Sequence, residues 1–328
     1  MGAYFLGVDV GGTKSDAWLI DETGQRLAAS RQGAANPDEV GYEGLTAVLQ
    51  QLVGHVLESV GLTAAAIQGA GFGIAGYDWP SQRGDMLAAI GTLGLSCPVE
   101  LVNDALITLI AGASAGWGVA VVAGTSCNAW GIGPDGRYGR MAGYSHLGEY
   151  AGSVEIVAKA LQAITKAWTC RGPRTALTQA FSELVGASGE ADLIEGVALQ
   201  RYLIGPEAAP VILRVASDGD PVAQALLHWA GAELGDLALG VIRQLDLADR
   251  AFAVVLSGSF LRSSPVMQQE IERVVGALAP QATFVPLAAP PVVGAALLGM
   301  KAAGLPATAV AGARLTLTGD GCGKDFSR

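Results

Sequence analysis

The order of apolar runs along the 328-residue chain constrains its fold most strongly, because the same series of elements occurs twice. In the first half, three strand patterns come before a helix, and helices then alternate with strands. The predicted strands are 4–10, 15–20, 26–30, 66–74 and 99–102, and the predicted helices are 38–60, 82–93 and one that begins at 105. The first half is therefore predicted to have the order βββαβαβα.

The second half repeats this order with additional helices. Its predicted strands are 118–123, 127–132, 137–141, 252–256 and 283–286, and its predicted helices are 152–168, 174–184, 189–203, 206–216, 221–245, 265–278 and 292–303. We predict an α/β fold of two duplicated domains, each a mixed sheet covered by helices, which face one another across a cleft. The expected division is an N-terminal domain at 1–114, a larger C-terminal domain with a helical insertion at 115–303, and a tail at 304–328 that is poorly ordered at its end.

Charge and cysteine content exclude several classes of protein. The formal net charge is -10 and the basic residues form no cluster, so we expect neither a nucleic-acid partner nor an anionic membrane surface as partner. The four cysteines are far apart and match no zinc or disulfide spacing. The N-terminus reaches an acid without a basic region, and the uncharged stretch 105–134 is interrupted by glycines. These features predict a cytoplasmic protein with reduced thiols.

The segment 6–15 joins a buried strand to a Gly-Gly turn. Backbone N–H groups at Gly11 and Gly12 can hold phosphate oxygens, and the side chains of Thr13 and Lys14 add donors. Asp9, at the end of the strand, is then placed to hold Mg²⁺ through water. An ordinary hairpin turn is the alternative reading.

Two better-known nucleotide motifs do not fit. A Walker loop requires Gly-Lys-Ser/Thr, whereas Thr13 separates Gly12 from Lys14. Residues 71–76 match G-x-G-x-x-G after a strand, but Asp78-Trp79-Pro80 follows where a dinucleotide fold needs a helix. We therefore expect neither a P-loop nor a nicotinamide site.

Asp104 follows the predicted strand 99–102 and begins a helix. Ligands of open α/β sheets bind outside the carboxyl ends of strands, where an acid can accept a proton from an attacking hydroxyl. The alternative is a helix N-cap, for which Asp is a preferred residue. The sequence alone does not choose between the two roles.

Two later strands also end in small residues. Gly124, Thr125 and Ser126 form a second candidate phosphate turn, followed by Cys127 and by Asn128, which could reach a polar substrate. Gly258 and Ser259 follow the strand 252–256 and allow close approach of a ring or a ribose. A structural hairpin and an ordinary strand end are the respective alternatives, and Cys127 is expected to be a buried structural thiol.

Taken together and in this order, residues 9–14, 103–104, 123–126 and 256–259 resemble the phosphate-1, connecting, phosphate-2 and adenosine segments of the sugar kinase/hsp70/actin superfamily. From about residue 4 to residue 303 the chain resembles the BadF/BadG/BcrA/BcrD ATPase family, which includes N-acetylglucosamine and glucosamine kinases. The resemblance implies two ribonuclease H-like domains of the actin/hexokinase-like type, ATP and Mg²⁺ as cofactors, and a homodimer.

The resemblance also implies site residues. Asp104 falls on the catalytic base, Asp9 on the metal-holding acid, and Ala216 and Ser259 on nucleotide contacts. The sugar contacts are expected at Asn36, Cys127, Asn128, Gly143, Tyr144 and Ser145. Where the kinases usually have Gly-Asp-Glu-Gly-Ser, this chain has Glu-Tyr-Ala-Gly-Ser at 149–153, so the sugar-binding acid is replaced by Tyr150 or displaced to Glu149. Pro37-Asp38 stands where those kinases place an aromatic residue.

The sequence thus predicts phosphoryl transfer from Mg·ATP to a hydroxyl of an amino sugar, the 6-hydroxyl as the resemblance implies. Two other functions stay open. One is an ATPase that activates a radical dehydratase or reductase, as other family members do, although their paired cluster-binding cysteines are not evident. The other is a sugar sensor without catalysis.

Overall fold

The protein is described here by a computed structural model covering residues 2–319. Two five-stranded mixed sheets form its framework. The strands of the first sheet are β1 (Tyr4–Val10), β2 (Lys14–Asp21), β3 (Arg26–Gly33), β4 (Ile67–Ile74) and β5 (Val99–Asn103). Those of the second sheet are β6 (Gly118–Ala123), β7 (Cys127–Ile132), β8 (Tyr138–Arg140), β9 (Phe252–Ser257) and β10 (Ala282–Pro286).

The two sheets have the same topology. The first has the order β3-β2-β1-β4-β5, and the second, read from its other edge, is β8-β7-β6-β9-β10. In each sheet the first three strands are antiparallel and the last two join in parallel through helical crossovers. The predicted duplicated α/β fold is confirmed.

Twelve α-helices cover these sheets in the described part of the chain. They are α1 (Pro37–Ser59), α2 (Arg83–Gly91), α3 (Asp104–Gly112), α4 (Ser153–Trp168), α5 (Leu177–Val185), α6 (Glu190–Ala198), α7 (Ala209–Ser217), α8 (Pro221–Gln244), α9 (Ser259–Arg262), α10 (Pro265–Leu278), α11 (Val292–Ala302) and α12 (Ala307–Thr318). Helix α8 is long and apolar enough to cross a membrane by length and composition. In this fold it packs against α10 and the second sheet, and half of its most apolar 18-residue stretch is buried.

Helix α11 lies unusually close to the first sheet because glycines face it. A side chain at Gly7 of β1 would overlap the backbone of Ala296, and one at Gly71 of β4 would overlap the carbonyl oxygen of Ala295. On its other side, Gly294 of α11 lies against the backbone of Ile107 in α3. These glycines allow helix and strand backbones to approach within contact distance.

The helices α3, α11 and α12 form a layer between the two sheets. Their buried residues share one core with Phe5 and Trp18 of the first sheet and with Trp130 and Val255 of the second. Although α11 comes late in the chain, it therefore packs on the first sheet, against β1 and β4. The layer fixes how the two sheets face each other.

Two helices were not predicted. The four-residue α9 follows Gly258 directly, and α12 occupies part of the segment expected to be a tail. In α12, Val310, Ala313 and Leu317 are buried, and Arg314 donates to the carbonyl oxygens of Ile110 and Ala111 at the end of α3. The expected disordered end, 320–328, lies outside the described residues.

The close packing of α11 leads to a stability prediction. We expect Gly71→Ala to lower the free energy of unfolding by about 1–3 kcal/mol, because the added methyl must displace backbone atoms of α11. Gly54→Ala, inside α1 with no atom within 4 Å of the added methyl, should instead raise stability by about 0.5–1 kcal/mol. Urea denaturation of both variants measures the difference, and equal stability of the two would contradict the packing argument.

Candidate active site

Asn103, rather than Asp104, caps helix α3. Its side-chain oxygen accepts a hydrogen bond from the N–H of Ala105 at 2.9 Å, as an N-cap residue does. Asp104 is the first residue of the helix. The alternative reading of Asp104 as the cap therefore fails, and its carboxylate is available for another role.

Asp104 lies in a strongly acidic environment. Burial, followed by the neighbouring Asp78 carboxylate, raises the pKa of Asp104 to about 7, although backbone N–H groups of Ala105 and Asp104 partly oppose this. A carboxylate with a pKa near neutrality is a suitable proton acceptor at physiological pH.

Asp78 is a component of the site that the sequence analysis missed. Its side chain is only 7% exposed, and it accepts hydrogen bonds from the amides of Asn103 at 3.1 Å and Asn128 at 3.5 Å. Asn128 lies on β7, so this contact joins the two sheets. Burial, followed by the nearby Asp38 carboxylate, raises the pKa of Asp78 to about 6. The only signal in the sequence was its position just after the buried strand β4.

A cavity of about 120 Å³ lies beside these acids, between the two domains. Five of the eight predicted sugar contacts line it, together with the predicted base Asp104 and Ser126 of the second phosphate turn. The predicted residues that line it are Asn36, Asp104, Ser126, Cys127, Asn128, Gly143 and Tyr144, joined by Asp38, Asp78 and Asn103. Ser145, Glu149 and Tyr150 do not line it. The structure thus brings together most of the predicted substrate residues.

The N-terminus of helix α1 supplies two of the side chains that line the cavity. Asn36 caps the helix, with its side-chain oxygen accepting from the N–H of Asp38 at 3.0 Å. This bond leaves the amide NH₂ group of Asn36 for a ligand. Asp38, in the position where related kinases are expected to carry an aromatic residue, adds a carboxylate to the cavity.

Glu149 does not line the cavity but binds the backbone of a segment that does. Its carboxylate accepts hydrogen bonds from the backbone N–H groups of Ala142, at 2.6 Å, and of Gly143. Gly143 has a left-handed φ of 84°, and it lines the cavity together with Tyr144. Tyr150 is 42% exposed. In this structure, Glu149 holds the 142–144 segment in place.

The first glycine turn joins β1 to β2 directly. The N–H of Gly11 bonds the carbonyl of Lys14 at 3.1 Å, which closes the turn, and the Lys14 side chain is 58% exposed. Burial, followed by the Asp104 and Asp16 carboxylates, raises the pKa of Asp9 well above its usual value, while Lys14 and Arg31 lower it. Asp9 and Asp104 are therefore close enough to influence each other electrostatically across the strand β4 that separates their strands.

The second glycine turn is anchored on helix α4. The carbonyl of Gly124 accepts from the N–H of Ser153 at 2.9 Å, and that of Thr125 accepts from Val154 at 3.1 Å. Gly152 packs on the backbone of Ser126, where a side chain would be within 2.6 Å of its Cα. The turn is thus held by the start of α4.

A second cavity, of about 380 Å³, connects the two glycine turns. Thr13, Thr125 and Ser259 line it, together with Ser153 and residues of α7, α9 and the 206–207 turn. Its size and position fit a nucleotide. Eight other predicted cofactor residues do not line it: Asp9, Gly11, Gly12, Lys14, Gly124, Ser126, Ala216 and Gly258. Of these, Ala216 is buried in α7, and Gly258 packs against the backbone of Ala123 at a φ of 95°.

Cys127 is a buried thiol. Burial, followed by Glu155 and Glu149, raises its pKa to about 12, and its sulfur lies 3.9 Å from the carbonyl oxygen of Glu149. Burial also raises the pKa of Cys97. Cluster-binding and redox cysteines need the opposite shift, towards the thiolate.

Known proteins resemble this chain over nearly its whole length. The sequence profile of the BadF/BadG/BcrA/BcrD ATPase family matches residues 6–299. An N-acetyl-D-glucosamine kinase of Dictyostelium discoideum is 27% identical over 313 residues, which cover 90% of this chain and 98% of that protein. An N-acetylmuramic acid/N-acetylglucosamine kinase of Clostridium acetobutylicum is 24% identical over 275 residues, covering 82% of this chain and 89% of that protein.

The fold is also found among solved structures. The crystal structure of a predicted N-acetylglucosamine kinase of Chromobacterium violaceum superposes with a TM-score of 0.68 at 24% identity. The match covers 90% of this chain and 98% of that chain. The predicted actin/hexokinase-like, two-domain architecture is therefore confirmed.

The raised pKa of Asp78 leads to a pH-dependent prediction. A carboxyl with a folded pKa of about 6 and an unfolded pKa of about 4 stabilises the fold when protonated, and this contribution is lost as pH rises through 6. Asp78→Asn should therefore be about 2 kcal/mol more stable than the wild type at pH 8, with the difference vanishing near pH 4. Urea unfolding across this range measures it.

The matched control for this experiment is Asp249→Asn, which removes an exposed carboxylate. Its effect on stability should be small at every pH. A difference for Asp78→Asn that does not change between pH 4 and pH 8 would show that the carboxyl is not strained by burial.

Proposed function

The chain belongs to the BadF/BadG/BcrA/BcrD ATPase family, and we propose that it is an ATP-dependent kinase that phosphorylates an amino sugar of the N-acetylglucosamine or glucosamine class. The observation that carries the proposal is the position of Asp104. Its carboxylate is not used as a helix cap, and it lines a small polar cavity between the domains. The curated relatives that act on N-acetylglucosamine support the substrate class.

In this proposal Asp104 is the general base. It accepts the proton of the sugar hydroxyl, taken to be the 6-hydroxyl, as that oxygen attacks the γ-phosphorus of ATP and ADP leaves. The pKa of about 7 leaves a substantial ionised fraction at neutral pH. Most of the remaining catalysis would come from positioning and from charge stabilisation.

The nucleotide would lie in the larger cavity, with its phosphates against the two glycine turns. Thr13 and Thr125 contribute hydroxyl groups from opposite sides, and the backbone N–H groups of the turns add donors. No group of three or more potential metal ligands occurs among residues 2–319, which fits an ion held chiefly by phosphates and water. Asp9 would hold Mg²⁺, which neutralises phosphate charge when bound, and the ion would in turn relieve the repulsion between Asp9 and Asp104.

The sugar would occupy the smaller cavity. Asn36 and Asn128 offer amides from the two domains, and the 143–144 segment offers its backbone and the Tyr144 ring. Asp38 and Asp78 can accept hydrogen bonds from hydroxyl or amine groups. Because the cavity lies between the domains, a change in their separation would let the sugar enter and would close the site around it.

A panel of acceptors tests the proposed reaction. We expect ADP release from Mg·ATP to be stimulated strongly by N-acetylglucosamine or glucosamine, and weakly or not at all by N-acetylmannosamine, glucose or buffer alone. A coupled assay measures the rate, and ³¹P NMR of the product locates the phosphate. If the rate of ADP release is the same with every sugar and without sugar, the activator ATPase is favoured. If a sugar stabilises the protein against unfolding but no ATP is turned over, the sugar sensor without catalysis is favoured.

The role of Asp104 is tested by Asp104→Asn. The variant cannot accept the proton, so we expect sugar-stimulated turnover to fall by about 10²- to 10⁴-fold while the nucleotide still binds. Asp236→Asn, which changes an exposed carboxylate on α8, is the matched control and should keep wild-type turnover. Undiminished turnover by folded Asp104→Asn would refute the assignment.

A further inference from the structure

A third cavity lies between the edges of the two sheets and adjoins the smaller cavity of the proposed active site. It has a volume of about 370 Å³, within the usual size range of small-molecule sites. Its wall on one side is β5, the edge strand of the first sheet, with the loop before α2, and on the other side β8, the edge strand of the second sheet. Both domains therefore contribute to it.

Aromatic rings form much of this wall. Tyr77, Trp79, Trp130 and Tyr138 all line the cavity. The guanidinium of Arg140 lies between two of them, 4.4 Å from the ring centre of Trp79 and 5.5 Å from that of Trp130. Trp79 lies in the loop that follows β4 of the first sheet, and Trp130 lies on β7 of the second sheet. The cation–π contacts of Arg140 therefore join the two domains beside the cavity.

The polar groups of the wall are mainly donors. Arg140 Nη1 and Trp130 Nε1 are buried without a hydrogen-bond partner among the described residues, an arrangement that is costly for a fold. Arg83 carries the second guanidinium and is exposed. Within residues 2–319 its hydrogen bonds are two long contacts of 3.4 Å, to the Tyr77 hydroxyl and to the Leu101 carbonyl. Two guanidinium groups with spare donors favour an anion.

The wall also contains acceptors. The carboxylates of Glu100 and Asp78 line the same cavity as the two arginines. They would repel a ligand that carried only negative charge, but they can accept hydrogen bonds from hydroxyl groups. Aromatic rings provide a surface for the apolar face of a sugar ring. The wall therefore matches a ligand that combines one anionic group with several hydroxyls.

We propose that this cavity is a regulatory site for a phosphorylated sugar, whose ring packs on the aromatic wall and whose phosphate binds the arginines. The site goes beyond the proposed reaction, because it is distinct from the cavity of Asp104. Asp78 and Asn103 line both cavities and are hydrogen-bonded to each other. A ligand that contacts both domains there changes the relative stability of their arrangements, and hence sugar affinity.

The first test is binding, which needs no turnover. Trp79 and Trp130 should make the intrinsic fluorescence respond to hexose 6-phosphates, and calorimetry gives the stoichiometry. We expect one site for glucosamine 6-phosphate, glucose 6-phosphate or N-acetylglucosamine 6-phosphate that persists when saturating AMPPNP and the preferred sugar fill the cleft. Inorganic phosphate should bind more weakly, since it lacks the ring.

Variants locate the site. Arg83→Gln and Tyr138→Ala change exposed side chains of the wall and should weaken sugar-phosphate binding about tenfold or more. Arg137→Gln is the matched control, because it removes the same charge from a neighbouring exposed position that does not line the cavity. Its affinity for sugar phosphates should equal that of the wild type.

The second test is kinetic. A sugar phosphate should change the rate of sugar phosphorylation in a pattern that is not competitive with the sugar, and Arg83→Gln should lose this effect while keeping wild-type turnover without the ligand. The proposal is overturned by no binding at millimolar concentrations, by binding displaced by the sugar, by equal affinities of Arg83→Gln and Arg137→Gln, or by phosphate binding as tightly as sugar phosphates. A lack of turnover with intact binding would refute the kinase assignment alone.

Discussion

The arrangement of the whole molecule depends on the close contact of helix α11 with the first sheet. Glycines at positions 7 and 71 let the backbone of α11 approach β1 and β4, and Gly294 lets the same helix approach α3. The resulting helical layer carries the second sheet on its other side. Because Asp9 lies one residue before the end of β1 and Asp104 begins α3, the contact that fixes this layer also fixes the distance between the two acids that the proposed chemistry uses.

The second constraint is electrostatic. Burial, followed by neighbouring carboxylates, raises the pKa values of Asp9, Asp78 and Asp104, and a protein selected only for stability would not group them. Such groups of perturbed acids are typical of functional sites. A divalent cation near Asp9 and hydroxyl donors near Asp78 and Asp104 would relieve the strain. The cost of burying these acids close together is thus offset in part when a cation or a hydroxyl donor binds beside them.

Most of the fold could be predicted because its signals are local. Strands β1, β6 and β7 and helix α10 have the predicted ends, since each is an apolar run bounded by glycine, proline or polar residues. Helix α12 was missed because its position depends on partners far away in sequence. Arg314 bonds the end of α3, about 200 residues earlier, and Ala313 packs against Gly24. Helix α6 was predicted to extend to residue 203 but ends at Ala198, five residues earlier. The apolar residues that suggested the extension, Leu199 and Leu203, are 69% and 80% exposed, so they form no packed helix face.

Site residues could be predicted where their type and their position after a strand indicate their chemistry. They could not be predicted where their role depends on contacts with residues far away in sequence. Asp104 and the glycine turns were identified by their positions after buried strands, whereas Asp78 was not, because its role depends on two asparagines 25 and 50 residues away. Those asparagines also explain why two cavities adjoin. Asn103 caps α3, holds Asp78 and lines both cavities, so one side chain connects the helix that presents Asp104 with the wall between the domains. A ligand that displaces Asn103 would therefore also disturb the cap of the helix that begins with Asp104.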